Sequence, residues 1–110
     1  MTENLSTNAD EMLVTPQEQE ALDFLFDVAL SAHYGTARKI ADFLLWWWND
    51  REFLTFPTSL LWQDEKHTGA VLLAITAIAR NAGKYPQSRQ ADIETIIEKC
   101  RPSMVVSPQR

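Results

Sequence analysis

The run Ile40-Ala41-Asp42-Phe43-Leu44-Leu45-Trp46-Trp47-Trp48 constrains this chain more than any other part of it. Read as a helix from about Ala37 to Asn49, the segment has only Arg38, Lys39, Asp42 and Asn49 as strongly polar members. Ile40, Phe43, Leu44 and Trp47 fall on one face, Ala41, Leu45 and Trp48 lie beside it, and Trp46 points elsewhere. A helix apolar around most of its girth belongs at the centre of a fold. Three successive tryptophans sweep about 200° of helix surface at 100° per residue. With 110 residues in all, the chain has little else with which to cover that arc. Core packing is therefore expected for two of the three indoles. Trp46 is the expected contact with a protein partner or a second copy, flanked by Asp42, Asn49 and Phe53.

The segments around this helix read as further helices. Thr15-Pro16-Gln17-Glu18 is a helix start: Thr15 caps, Pro16 suits the first turn and Glu18 takes the capping-box position. The first helix runs to about Ala32 on a stripe of Leu22, Leu25, Phe26 and Ala29, with Gly35 as its left-handed stop. Thr36 is the expected cap of the tryptophan helix. Asp50 to Trp62 forms a connector, with a short extended piece at Phe53, Leu54 and Phe56. One helical turn over Thr58 to Trp62 follows, anchored by Leu60, Leu61 and Trp62. A third helix runs from near Asp64 to about Ala82 on Val71, Leu72, Ile75, Ile78 and Ala79. Asn81-Ala82-Gly83 stops it and Tyr85-Pro86 closes the turn. A fourth begins at a Ser88 cap and ends before Pro102, with Ile93, Ile96, Ile97 and Cys100 at helical spacing. Residues 1–14 are expected as a flexible leader whose Met12, Leu13 and Val14 pin it to the domain. The expected fold is all-α: a compact four-helix, bundle-like single domain over residues 15–106, with a short tail.

Charge is unevenly spread. Residues 1–37 hold seven acids and no Lys or Arg, whereas residues 38–110 hold eight acids and ten bases. Glu18, Glu20, Asp23 and Asp27 thus form a candidate acidic face on the first helix. Such a face could act as a nucleic-acid mimic in an inhibitor of a nucleic-acid enzyme, of an anti-defence or anti-CRISPR type. A net charge of −5 argues against direct nucleic-acid binding, which needs clustered bases. A DNA-binding regulator would have to use Arg38, Lys39, Arg80, Lys84 and Arg89, with the third and fourth helices as a helix-turn-helix.

Chemistry-bearing patterns are sparse. His33 and His67 are the only histidines, with no metal-ligand spacing between them, and Glu65 and His67 do not share a helix face. Cys100 is the single cysteine and sits on an apolar stripe, where a thiol is inert. No nucleophile motif or phosphate-cradling glycine loop occurs. Asp42 is expected to pair with Arg38, four residues earlier. The chain is read as non-enzymatic, with no cofactor, metal or small-molecule substrate. No apolar run reaches the roughly 20 residues of a membrane span. The start lacks the basic and apolar regions of a signal peptide, and one cysteine fits a cytoplasmic setting.

Ala41-Asp42-Phe43-Leu44-Leu45, followed by Trp47-Trp48-Asn49, resembles the hallmark of a family of small uncharacterised bacterial proteins. Phe56, Leu61-Trp62, Ile78-Ala79-Arg80, Tyr85-Pro86 and Arg101-Pro102 match at similar spacing, over about residues 36–105. The chain departs from the pattern at Trp46 and at Leu54-Thr55. The resemblance implies an accessory protein of plasmids and integrating elements. It carries over no catalytic residue.

Overall fold

The structure is a computed structural model that describes residues 12–100 apart from His33, Leu54, Thr55, Tyr85 and Pro86. The leader up to residue 11, the Leu54 part of the extended piece, the Tyr85-Pro86 closure and the tail from Arg101 lie outside the described residues. Within them are four helices: α1 (Pro16–Ser31), α2 (Gly35–Trp48), α3 (Glu65–Arg80) and α4 (Gln90–Cys100). Short 3-10 turns at Thr58–Trp62 and Gln87–Arg89 precede α3 and α4. The all-α, four-helix expectation matches this order.

Local chemistry explains most boundaries. At the head of α1 the Glu18 amide donates to Thr15 Oγ1 at 3.0 Å, and the Thr15 amide donates to Glu18 Oε1 at 3.0 Å. Both halves of the capping box are therefore made. Gly35 is left-handed, at φ +61°, but it is not the stop of α1: that helix ends at Ser31 with Ala32 as an extended C-cap, and Gly35 opens α2. Thr36 is not the cap of α2, because the helix starts one residue earlier, at Gly35. Its hydroxyl instead reaches across the chain to Gln63 Oε1 at 3.2 Å. Asp64 caps α3 by accepting from the His67 amide at 2.9 Å. That helix ends in a Schellman pattern, with Gly83 N–H on Ile78 O at 2.9 Å and Ala82 N–H on Ala79 O at 3.3 Å. Ser88 is not a helix cap but lies within the 3-10 turn, and α4 begins at Gln90.

The core forms where α1 packs on α2 and α3, and α4 closes against α2 and α1. Leu25, Phe26, Ile40, Phe43, Leu44, Leu45, Val71 and Ile96 are fully enclosed. The stretch before α1 is part of this body. Met12 and Val14 are buried, and the intervening Leu13 is tied at both backbone groups. Its amide donates to Asn81 Oδ1 at 2.7 Å, and its carbonyl accepts from Asn81 Nδ2 and Arg80 at 2.9 and 3.1 Å. The expected pinning is thus real, and the packed domain includes Met12–Val14. At the opposite end Lys99 Nζ donates to Leu30 O at 2.5 Å, placing a cation on the last turn of α1.

Candidate functional site

The tryptophan helix keeps its indoles against its own chain. Trp47 is buried, and its Nε1 donates to Gly83 O and Lys84 O, both at 3.2 Å. Trp48 is half-buried beside Phe53, with ring centroids 6.0 Å apart. Trp46 is also half-buried rather than projecting freely. Its ring lies 6.3 Å from Phe43 and 5.1 Å edge-on from Phe56. The connector folds back under α2, so the arc thought too wide for this chain is largely covered by Phe53 and Phe56.

The other residues grouped with Trp46 are occupied internally. Phe53 is buried in the core and cannot meet a partner without unfolding the connector. Asn49 ends α2: its Oδ1 accepts from the Arg51 and Glu52 amides at 3.2 and 3.4 Å. Asp42 lies 3.5 Å from Arg38 Nε, one turn apart as the spacing predicts.

The acidic face thins in the same way. Glu18 is not on it: the side chain is buried and holds Arg80 through two hydrogen bonds of 2.5 and 2.8 Å. That guanidinium, foremost, keeps the Glu18 carboxyl below the usual range, while burial pushes the other way. Asp23 pairs with Arg89, which also holds Asp92 at 2.7 Å and lies over the Phe26 ring. Glu20 and Asp27 stay exposed. The same pairs engage three of the five bases on which a DNA-binding reading depends, Arg38, Arg80 and Arg89.

His67 Nδ1 sits 2.7 Å from Asp64 Oδ2, a local pair at the head of α3. The amide and ring of His67 hold the Asp64 carboxyl below its ordinary range. Among the described residues no group of three or more His, Cys, Asp and Glu could hold a metal ion. Nor is any helix among them long and apolar enough to cross a membrane.

The large apolar side chains that do face outward lie elsewhere. Trp62 is 68% exposed and Tyr34 70%, and Leu61 is also open. Trp62 and Leu61 are not the anchors the sequence predicts; only Leu60 of that turn is buried. On α3, Leu72 is 50% and Leu73 37% exposed. Gly69, Leu72, Leu73 and Thr76 recur at helical spacing and make one outward face. Beside it runs a shallow groove of about 490 Å³ between α1 and α3. Ala21, Phe24, Gly69, Ala70 and Leu73 line its apolar part, and Gln17, Glu20 and Lys66 its rim. Lys66 Nζ lies 4.9 Å from the Phe24 ring centre, at one end of the groove. Helical spacing had marked Leu72 as core. Its exposure was hidden in the sequence because α3 is apolar on nearly every side.

Comparison with curated proteins and with solved structures gives no match. The family of unknown function DUF7673 matches residues 19–101, which include α2, α3, α4 and all of α1 but its first turn, and leave out the Thr15–Glu18 capping box. With three quarters of its length under that match, the chain belongs to the family of unknown function DUF7673.

Proposed function

We propose that this chain is a non-enzymatic helical interaction protein, an accessory of bacterial mobile DNA that works in the cytoplasm by binding protein. The observation that carries the reading is Trp62, an indole left 68% exposed on a rigid turn. Thr68 Oγ1 ties that turn to α3 by donating to Leu60 O at 2.9 Å. Exposed aromatics on a fixed scaffold are characteristic of binding surfaces. Leu61, Leu72 and Leu73 extend the exposed apolar area. The mobile-element setting rests on the Trp-Trp-Asn resemblance. The packing of Trp46 beside Phe43 and Phe56 supports reading Trp62 and Leu72, in place of Trp46, as the partner surface.

The test is capture from the native host by the full chain, by Trp62→Asp and by Leu72→Asp, each first checked for an unchanged melting temperature. A protein held by the unaltered chain and lost by both variants is expected. Capture that ignores both substitutions, or no capture at all, ends the reading.

A further inference from the structure

Resting on the interaction reading, we propose that the outward face of α3 and the α1–α3 groove dock a second copy of this chain, with the closest backbone approach at Gly69. The first observation is Gly69 itself. Glycine inside a helix destabilises it relative to alanine. Nothing within this molecule calls for it: a Cβ built there meets no atom within 4 Å. The bare backbone faces outward beside two exposed leucines, where a second helix can come close.

The second observation is charge. Glu20 stands on the α1 wall of the groove and Lys66 on the α3 wall. Neither has an ion-pair partner among the described residues. One acid and one base on a neutral rim suit a copy of the same surface better than a strongly charged partner.

Topology makes the two observations compatible. α1 runs antiparallel to α3, since Glu18 meets Arg80 while Phe24 meets Lys66 and His67. Glu20 is one turn before Phe24, so it lies about one turn further along α3 than Lys66 and His67, on the other side of Gly69. A two-fold axis lying in the interface, over Gly69 and perpendicular to α3, stacks the two α3 helices with opposed dipoles. It brings Lys66 of each copy to the level of Glu20 of the other. It also turns Leu73 of each copy toward the other's Phe24.

Sedimentation and light scattering across a concentration series of the full chain test this. A concentration-dependent dimer is expected. Leu73→Asp should weaken it at least about tenfold. Gly69→Ala should raise the melting temperature of the dilute monomer yet weaken the dimer, a pair of opposite signs that a structural glycine would not give. Glu20→Lys and Lys66→Glu should each weaken association, and the double reversal should restore it, which keeps the test decisive if Leu73→Asp fails to fold. A chain that stays monomeric at its highest soluble concentration overturns the pairing and leaves the Trp62 capture result untouched. So does a dimer indifferent to both Gly69→Ala and the charge reversals.

Discussion

Glu18 and Arg80, 62 residues apart in sequence, meet through two parallel hydrogen bonds that lock the head of α1 to the tail of α3. The same carboxylate completes the capping box with Thr15, and the same guanidinium holds Leu13 O. Three segments thus converge on one ion pair. Its acid is buried, so loss of Arg80 strands a charge rather than exposing it to water.

Glu18→Ala should destabilise the fold by about 2–3 kcal/mol in urea unfolding, because a buried charged hydrogen-bond acceptor is lost. Glu18→Gln, which keeps the shape, should cost less.

Acid should weaken the protein through the same carboxylate. Its value in the fold lies below the ordinary 4.5, so the unfolded chain binds the proton more tightly. The contribution is fully present above about pH 4.5 and is lost as pH falls through the lowered value. Urea midpoints measured from neutrality downward should fall in that window, and Glu18→Gln should flatten the fall. An unchanged slope would remove Glu18 as the cause.

Ala82→Gly should stabilise the domain. Ala82 occupies the left-handed position of the α3 stop, at φ +57°. Only glycine takes that geometry without steric cost. A gain of about 0.5–1 kcal/mol is expected, seen calorimetrically as a rise of a few degrees. Gly83→Ala, at φ +82°, should move the melting temperature the other way.

Trp46→Ala should lower stability by about 2–3 kcal/mol, since Phe43 and Phe56 both lose a ring neighbour. Trp62→Ser, on an exposed side chain, should change it by no more than about 0.5 kcal/mol. Chemical unfolding of the two variants side by side separates the indole that holds the fold from the indole that faces outward.

Much of the fold was legible because helix signals are local. Thr15-Pro16-Gln17-Glu18 announces a capping box, Asp64 a helix head and Asn81-Ala82-Gly83 a stop, each through bonds spanning only a few residues. The functional surface was far less legible, for a physical reason. Whether an indole is covered depends on what the connector does, and Phe53 and Phe56 reach α2 through contacts no periodicity encodes. The partner of Glu18 lies on another helix, so an acid counted as surface proved to be interior. Trp62 and Leu72 sit among apolar neighbours in sequence, and nothing local distinguishes them from Leu60 or Val71. Arg38–Asp42 was readable because its spacing is one helical turn.

The clasp formed by Met12, Leu13 and Val14 has a practical consequence for anyone dissecting this protein. Those residues, along with Thr15 and Glu18, fall before the stretch that defines the family. A fragment trimmed to residues 19–101 would uncover the hydrophobic seats of Met12 and Val14 and leave Arg80 without its acid. Such a fragment would report the behaviour of a damaged molecule, so residues 12–18 should be kept in any experiment meant to measure binding.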